Sequence, residues 1–280
     1  MEFSDELKKK VGQSIRLLQS VKTDGPIEVC YSGGKDSDVI LELAKMAGIN
    51  YRAIYKNTTI DPPGTIKHCK EKGVEILQPK KTFFQIVEEA GWPSRWRRFC
   101  CSYLKEYKVL DYSIQGIRRC ESSKRRARYK EPIVCLLYNN KERAEIVYPI
   151  LNWSNDNVAE FVNKMSIKCH PLYYDENGKF HVERRLGCIG CPLQHDWGVS
   201  QFREHPNMFK AWMKAFNKWW YKPRTKPIKS HERFSDPYEA TVCRLFYGGA
   251  NKLDSIRGHN LFETPIDCKK FLEDYFKIKL

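Results

Sequence analysis

Residues 32–37 read Ser-Gly-Gly-Lys-Asp-Ser and combine residue types that bind phosphate. Adjacent glycines let the backbone approach an anion, and the first N–H groups of a following helix point towards it. The lysine adds a positive charge, the serines add hydroxyl donors, and the aspartate can hold a Mg²⁺ ion that bridges phosphate oxygens. The stretch is shorter than the G-x-x-x-x-G-K-[ST] P-loop, so it predicts a different phosphate-binding loop. Its candidate ligands are Ser32, Gly33, Gly34, Lys35, Asp36 and Ser37.

Four of the eleven cysteines form two pairs that could hold a metal. Cys100 and Cys101 are adjacent, at the start of a predicted helix. Cys188 and Cys191 form a C-x-x-C turn, in which Gly190 permits a tight backbone. Four thiolates suit either a zinc ion or a [4Fe–4S] cluster, and the spacing alone leaves both open.

The composition is strongly basic, with 49 Lys and Arg against 34 Asp and Glu, a net charge of +15. This balance favours anionic partners such as nucleotides or nucleic acid. Lys210, Lys214 and Lys218 repeat along one helical face, which suits a solvated face, a track for phosphates or a docking face for an acidic protein. The aromatic residues on the other face of that helix are expected to be core.

No apolar run approaches the roughly 18 residues that predict a membrane-spanning helix. The first ten residues are charged and show no apolar region typical of a signal peptide. Eleven cysteines without a secretory signal predict a reducing compartment, in which thiols more often bind a metal or act in catalysis than form disulfides, so a cytoplasmic location is expected.

Strand and helix patterns alternate in the first half of the chain, which predicts a parallel sheet with right-handed crossovers. The predicted strands are short apolar runs at 26–32, 51–57, 74–79, 113–117 and 145–151. The predicted helices show a 3.6-residue period and cover 5–20, 35–46, 63–72, 82–90 and 154–165. We therefore expect an α/β fold, a doubly wound and mainly parallel sheet, over residues 1–165. Residues 166–280 are expected to form a cysteine-containing segment and a C-terminal helical lobe.

The loop at 32–37 is similar to the SGGKDS loop of the N-type, PP-loop ATP pyrophosphatases. Residues 25–200 resemble the phosphoadenosine phosphosulfate (PAPS) reductase family, because family segments occur in the same order at 57–73, 116–127, 148–162 and 170–175. The resemblance implies an adenine nucleotide alpha hydrolase-like fold. It also implies that the loop grips the β,γ-pyrophosphate of ATP while a nucleophile attacks the α-phosphorus.

In that family a G-x-R-x-x-E-S-x-x-R pattern closes over the nucleotide, and arginine suits this role because its planar fork binds phosphate bidentately. The residues that match the pattern are Gly116, Arg118, Glu121, Ser122 and Arg125. The resemblance implies a catalytic set of Lys35, Asp36, Arg118 and Arg125. Cys120 stands where the family often has aspartate.

The order and spacing of the two cysteine pairs resemble the [4Fe–4S] motif of adenylylsulfate reductases. This resemblance implies that Cys100, Cys101, Cys188 and Cys191 hold a [4Fe–4S] cluster, with zinc as the alternative. Lys105 falls where those proteins place a lysine between cluster and substrate.

Two features depart from the reductases of the family. Their Glu-Cys-Gly-x-His nucleophile segment is missing, since the last cysteine here is Cys268 in a predicted helix start. Their phosphate loop is usually altered, whereas SGGKDS is intact here. Both departures favour ATP cleavage over PAPS or adenylylsulfate reduction.

We therefore expect a PP-loop ATP pyrophosphatase that adenylates an acceptor for sulfur transfer, with ATP, Mg²⁺ and a [4Fe–4S] cluster as cofactors. The resemblance is closest to the ATP pyrophosphatase component of DNA phosphorothioation systems, so nucleic acid is the expected acceptor and a cysteine desulfurase or another sulfur-donor protein the expected partner. The alternatives are a PAPS or adenylylsulfate reductase, a sulfate adenylyltransferase small subunit, and a regulatory module that binds a nucleotide without turnover.

Overall fold

The computed structural model describes residues 2–138, 142–226, 228–247, 253–258 and 264–280. The strands are β1 (Ile27–Tyr31), β2 (Tyr51–Lys56), β3 (Glu75–Leu77), β4 (Tyr112–Ile114), β5 (Ile133–Tyr138) and β6 (Glu142–Val147). The helices of the first half are α1 (Asp5–Ser20), α2 (Lys35–Met46), α3 (Thr65–Glu71), α4 (Phe83–Ala90), α5 (Phe99–Leu104), α6 (Ser123–Arg128) and α7 (Asn155–Lys164). Those of the second half are α8 (Val199–Glu204), α9 (Pro206–Trp220), α10 (Lys229–Arg233), α11 (Pro237–Phe246), α12 (Leu253–Arg257) and α13 (Cys268–Phe276).

The six strands form one mostly parallel sheet with the order β3-β2-β1-β4-β6-β5. Val29 in β1 lies opposite Ala53 in β2 and Ile114 in β4, and all three strands run in the same direction. Among the strands of the described residues, β5 alone is antiparallel, and it pairs with β6. The α/β class and the parallel sheet expected from the sequence are thus confirmed.

The strand order reverses at β1, which has β2 on one side and β4 on the other. In open parallel sheets, ligands bind outside the carboxyl ends of the strands at such a switch point. The segments that leave β1 and β4 at this edge are residues 32–34 and 115–118. The topology therefore brings the two predicted nucleotide-binding motifs to one place.

Helix α2 starts where the pattern of its sequence predicts, and it packs its apolar face against the sheet. Val39, Ile40 and Leu43 are fully buried, together with Val29 of β1. Ser4 caps the start of helix α1, and its hydroxyl accepts a hydrogen bond from the Leu7 N–H at 3.3 Å. Such capping satisfies a backbone donor that the first turn leaves unpaired. Because α2 is fixed along its length, its N-terminus is held beside the sheet edge.

The chain divides into two compact units by its internal contacts. The sheet unit comprises Met1–Asn57, Asp61–Pro79 and Leu104–Gly187, and the cysteine unit comprises Thr58–Ile60, Lys80–Tyr103 and Cys188–Leu280. Residues 166–187 group with the sheet in this division. The contact-based division does not test whether the two parts fold independently. The domain boundary expected after residue 165 therefore stays a prediction.

The cysteine unit has an aromatic core built largely on α9. Trp212 lies 4.7 Å from Trp92 and 4.4 Å from Phe83, ring centroid to ring centroid, and Phe209 lies 4.1 Å from Phe276 in the same measure. The aromatic face of α9 is buried, which confirms the expectation that this stripe is core. Within the described ranges, no helix is both long enough and apolar enough to cross a membrane.

Candidate active site

The predicted phosphate-binding loop joins β1 to α2 through a tight turn. Gly33 has φ of +77°, and a Cβ there would lie 3.0 Å from Thr65 Cγ2, so the position requires glycine on both conformational and steric grounds. Gly34 precedes the first helical residue, and its carbonyl oxygen accepts a hydrogen bond from the Ser37 hydroxyl at 2.6 Å. Ser32 lies within 3.4 Å of that hydroxyl. The loop therefore packs against the first turn of α2, and the N-terminus of this helix is the part that an anion site uses.

Lys35 is a buried cation in this loop. Its Nζ lies 3.1 Å from Asp36 Oδ2 and 5.3 Å from the centroid of the Tyr173 ring. Burial lowers the pKa of Lys35, and the Asp36 carboxylate only partly offsets that effect. A phosphate oxygen beside Nζ would favour the charged form, so the site gains from an anionic ligand.

Asp36 is held by Arg118, the arginine of the predicted nucleotide-closing pattern. Arg118 is 1% exposed, and its Nε donates to Asp36 Oδ1 at 2.7 Å. Its Nη1 donates to Asn155 Oδ1 at 2.9 Å and to the Cys120 sulfur at 3.0 Å. A Cβ on Gly116 would lie 2.9 Å from the Asp36 carbonyl oxygen, so glycine is needed where the segment after β4 crosses the loop. The structure thus brings the loop and the pattern into direct contact.

The other pattern residues form a second set of ion pairs. Glu121 pairs with Arg125 on the following turn and lies 3.5 Å from Arg185 Nη2. The Ser122 hydroxyl accepts a hydrogen bond from the Arg125 N–H at 3.1 Å and thereby caps α6. Glu121 and Ser122 therefore position the arginine, whereas Arg125 itself carries the charge.

Four cations act on one another in this part of the sheet unit. Burial lowers the pKa of Arg125, and the neighbouring Arg185 and Arg118 lower it further. Arg118 and Arg185 have the same effect on Lys35. Two carboxylates, Asp36 and Glu121, offset only part of this positive charge. The arrangement favours a polyanion such as the phosphates of a nucleotide.

Arg185 is a site residue that the motifs did not predict. It lies outside the G-x-R-x-x-E-S-x-x-R pattern and reaches Glu121 from 64 residues further along the chain. The preceding Arg184 donates from Nη1 to the carbonyl oxygens of Leu172 at 3.2 Å and Tyr174 at 2.7 Å. The sequence feature that could have indicated this residue is the Arg184-Arg185 pair shortly before the C-x-x-C turn. Arg184 anchors the segment, and Arg185 lies against Glu121.

Lys105 lies at the carboxyl end of β2 within the sheet unit. Its Nζ is 3.9 Å from Asp61 Oδ1, and Asp61 also accepts a hydrogen bond from the Tyr55 hydroxyl. Tyr55 is the residue opposite the last residue of β1. Lys105 is thus placed at the sheet edge from which the phosphate loop leaves, and its predicted contact with a nucleotide stays a prediction.

A buried polar network lies directly behind the loop. Asp38, in the first turn of α2, accepts a hydrogen bond from the Tyr31 hydroxyl at 2.5 Å and lies 3.1 Å from His68 Nε2. Burial, and then the Asp38 charge, raises the pKa of Tyr31. The ring of His170 packs edge-on against His68, with centroids 5.9 Å apart. These groups tie the first turn of α2 to β1 and α3. His68 and His170 fall within the family segments at 57–73 and 170–175, but neither was singled out as a site residue.

The C-x-x-C turn of the cysteine unit is closed and tightly packed. The Cys191 N–H donates to the Cys188 carbonyl oxygen at 3.2 Å. Gly190 has φ of +75°, and a Cβ there would lie 2.0 Å from Phe202 Cζ, so only glycine fits. The Cys188 sulfur lies 3.7 Å from Thr58 Oγ1.

The two cysteine pairs are near enough to influence each other. A hydrogen bond with Cys101, burial, and then the charges of Cys101, Cys188 and Cys191 raise the pKa of Cys100. The cysteine unit therefore brings together the four thiols that the sequence singled out. In the part of the chain that the structure describes, however, no group of three or more His, Cys, Asp or Glu side chains has the arrangement of a metal site.

Comparison with known families identifies the chain. Residues 26–194, more than half of its length, match the phosphoadenosine phosphosulfate reductase domain. The chain belongs to this family. The match covers the phosphate loop, the arginine pattern and both cysteine pairs of this PAPS reductase family member, which confirms the family resemblance stated from the sequence.

Among curated proteins, the chain is similar to an uncharacterized protein of Methanocaldococcus jannaschii, with 28% identity over 214 residues, 70% of this chain and 48% of that protein. It is also similar to the tRNA-cytidine(32) 2-sulfurtransferase of Pseudomonas fluorescens, with 30% identity over 121 residues, 40% of this chain and 44% of that protein. The chain spans about half the length of the curated relatives it matches.

Two solved structures are similar over much of the chain. The PAPS reductase of Candida auris, described as a phosphate complex, has a TM-score of 0.45 and 15% identity, and the match covers 67% of this chain and 97% of that one. The NH3-dependent NAD synthetase of Campylobacter jejuni has a TM-score of 0.42 and 12% identity, with 81% and 100% covered.

Proposed function

We propose that this PAPS reductase family member is a PP-loop ATP pyrophosphatase that adenylates an acceptor for sulfur transfer. The observation that carries the proposal is the intact loop at 32–37, built on the N-terminus of α2 with Lys35 buried and Asp36 fixed by Arg118. The acceptor oxygen would form a bond to the α-phosphorus of ATP. The bond from that phosphorus to its bridging oxygen would break, and pyrophosphate would leave with the electron pair.

The roles of the site residues follow from their charge and position. Lys35 and the backbone at Gly33 and Gly34 would hold the pyrophosphate. Arg118 and Arg125 would offset charge that develops at the α-phosphorus, because preorganised cations stabilise a transition state without reorganising. The Asp36 carboxylate already faces two cations, and its remaining lone pairs would hold Mg²⁺ against the phosphates.

Nucleic acid is the proposed acceptor, as in DNA phosphorothioation. Two observations support it: the net charge of +15, and the similarity to tRNA 2-sulfurtransferases over 121 residues. A sulfur nucleophile from a cysteine desulfurase or another sulfur-donor protein would then attack the adenylated acceptor, and AMP would leave.

Cys100, Cys101, Cys188 and Cys191 would hold a [4Fe–4S] cluster, with zinc as the alternative. The chemistry of the donor set suits either group, since the four thiols belong to one compact unit, but among the described residues they do not have the arrangement of a metal site. Thiolates are the usual ligands of such clusters and of structural zinc. When bound, a cluster supplies a redox-active or sulfur-rich centre, and zinc supplies a rigid crosslink.

Reduction of PAPS or adenylylsulfate is the function that the structure favours less. Cys268 is the last cysteine of the chain, and it is buried at the start of α13. Burial raises its pKa to about 12, which keeps the thiol protonated and poorly nucleophilic near neutral pH.

The test is release of pyrophosphate from Mg²⁺-ATP by anaerobically purified protein, with transfer RNA or DNA as acceptor and sulfide as sulfur source. Steady release with one acceptor is expected, and much slower release from the Lys35→Ala variant at the same ATP concentration. ATP binding without pyrophosphate release, with any acceptor tried, would contradict the proposal and favour a regulatory nucleotide-binding module. Release with sulfate as acceptor would favour a sulfate adenylyltransferase subunit.

A further inference from the structure

A tight turn before the first cysteine pair presents a tryptophan to solvent. The Ser94 N–H donates to the Arg97 carbonyl oxygen at 3.2 Å, and the Arg97 N–H donates to the Ser94 carbonyl oxygen at the same distance and to its hydroxyl at 3.0 Å. These bonds close the four residues 94–97 into one turn. Trp96, near its tip, is 96% exposed. Tryptophan is usually well buried, so an almost fully exposed one on an ordered turn indicates a surface kept open for a ligand.

Arg95 anchors the turn to the C-x-x-C loop of the same unit. Its Nε donates to the Pro192 carbonyl oxygen and its Nη2 to the Gln194 carbonyl oxygen, each at 2.8 Å. Its guanidinium also stacks over the Trp197 ring, 4.1 Å from the centroid. The carbonyl oxygen of Arg98 accepts from the N–H of Cys101 at 3.0 Å, at the start of α5. Because the turn is bonded on both sides, Trp96 is presented in a defined position.

The chemistry around Trp96 is aromatic and positive. Arg97 and Arg98 are both exposed beside it, and Tyr103, 63% exposed, follows in the same unit. Residues 91–105 contain no aspartate or glutamate. A flat aromatic ring flanked by guanidinium groups suits a ligand that carries both planar bases and phosphates. Single-stranded nucleic acid is such a ligand, since its unpaired bases stack on aromatic side chains and its backbone follows positive charge.

We propose that the turn at 94–97 is a binding site for single-stranded nucleic acid, in which a base stacks on Trp96 while phosphates pair with Arg97 and Arg98. This proposal deepens the proposed function and rests on it for the role of nucleic acid as acceptor. A base-paired duplex buries its base faces in stacking, so Trp96 selects unpaired nucleotides.

The test is fluorescence anisotropy of labelled RNA and DNA oligonucleotides of about 16 nucleotides, a length that spans such sites, with the full chain and without ATP. Single strands are expected to bind more tightly than the matching duplex, and the RNA and DNA arms identify the preferred sugar. Trp96→Ala is expected to weaken single-strand binding about 5- to 150-fold, the range for loss of one base–aromatic stack. Trp96→Phe is expected to restore most of it. Arg97→Gln is expected to reduce the slope of log K against log salt by about 0.7 if one phosphate contact is lost.

Tyr221→Ala is the matched control, because Tyr221 is an exposed aromatic residue, 66% exposed, on another helix end of the same unit. Its oligonucleotide affinity is expected to equal that of the wild type. Thermal melting of Trp96→Ala should also match the wild type, since the removed side chain is almost fully exposed.

The outcomes separate this site from the proposed function. Equal affinity of the wild type and Trp96→Ala for single strands would overturn the site even if pyrophosphate is released. Absence of binding to any oligonucleotide at low salt would also overturn the site. A partner protein would then be the alternative ligand of this turn. Trp96-dependent binding in a protein that releases no pyrophosphate would support the site and count against the proposed ATP cleavage.

Discussion

Arg118 Nε donates a 2.7 Å hydrogen bond to Asp36 Oδ1, and this contact joins the two nucleotide-binding motifs across 82 residues of chain. The carboxylate belongs to the first turn of α2 and the guanidinium to the segment that leaves β4. Both strands end at the switch point of the sheet. The pair therefore fixes the position of the phosphate loop relative to the arginine that would face the α-phosphorus.

Arg118→Ala is expected to destabilise the protein and to abolish most ATP turnover. Removal of one partner of a buried ion pair typically costs about 3–5 kcal/mol, and we expect the lower end because the Asp36 side chain keeps some exposure. Unfolding in urea would measure the loss. Arg126→Ala, an exposed arginine on α6, is the control and should change little. In a double-mutant cycle, Asp36→Asn combined with Arg118→Ala should cost less than the sum of the single changes, and strict additivity would contradict the pairing.

Lys35→Ala is expected to weaken ATP binding about 10- to 150-fold, because one charge-assisted contact contributes about 1.5–3 kcal/mol. Asp36→Ala is expected to weaken Mg²⁺-dependent turnover. Calorimetric titration with ATP, with and without Mg²⁺, measures the first effect. Lys45→Ala on the same helix is the control, since Lys45 is exposed and pairs with Glu42. Unchanged ATP affinity in a variant altered at both Gly33 and Lys35 would disprove the phosphate-loop assignment.

Protein purified without exposure to air is expected to be brown, with broad absorbance near about 400 nm from thiolate-bound iron and sulfide. Cys188→Ser and Cys191→Ser should each lose most of the iron. Cys135→Ser is the control, because Cys135 is exposed in β5, outside the four-cysteine set. Zinc at one ion per four thiols would select the alternative. If anaerobically purified protein contains neither iron with sulfide nor zinc, the prediction that the four cysteines bind a metal is wrong.

The sequence predicted the parts of the site that depend on local chemistry. The loop at 32–37 and the bounds of α1 and α2 agree with the structure because glycine turns, caps and helical periodicity are local signals. The strand expected at 113–117 is Tyr112–Ile114, since Gly116 lies against the loop instead of continuing the ladder. Strand β5 was not predicted, because it is an antiparallel edge with three consecutive exposed residues and no clear alternation.

Long-range partners were the part that the sequence could not provide. Arg185 reaches Glu121, and His68 reaches Asp38 from 30 residues away, only because the sheet order brings their elements together. Neither pair has a spacing that marks it. Single charged or polar side chains of this kind are ordinary in sequence, and their burial and partners are set by tertiary structure.

His170 predicts a specific loss of stability in mild acid. Burial, and then the neighbouring His68, lowers its pKa below the ordinary value of 6.5, and its Nε2 has no hydrogen-bond partner among the described residues. The unfolded state therefore binds the proton more readily, so the contribution of His170 is present above pH 6.5 and is lost as pH falls below it. The slope from one such group is at most about 1.4 kcal/mol per pH unit.

The measurement is unfolding in urea at about pH 7.5 and about pH 5.5, which lie on either side of the titration. His170→Asn keeps an acceptor for the Leu172 N–H and removes the titrating ring, so it should lose less stability between the two values than the wild type does. The control His195→Asn changes an exposed histidine and should behave as the wild type. The same pH dependence in all three proteins would disprove this role for His170.

Cys268 offers a test between ATP cleavage and reduction. A reductase nucleophile must be an accessible thiolate, whereas Cys268 is buried, begins α13 after the Asp267 cap, and has a pKa that burial raises to about 12. Leu272 and Phe276, one and two turns further on, are buried as well, so this helix is docked along its length. Cys268→Ser is therefore expected to leave pyrophosphate release intact, and the wild type is expected to release no sulfite from adenylylsulfate or its 3′-phosphate in the presence of thioredoxin. Sulfite release that disappears in Cys268→Ser would overturn ATP cleavage as the function and restore the reductase, because only a nucleophilic thiol at this position would connect the two results.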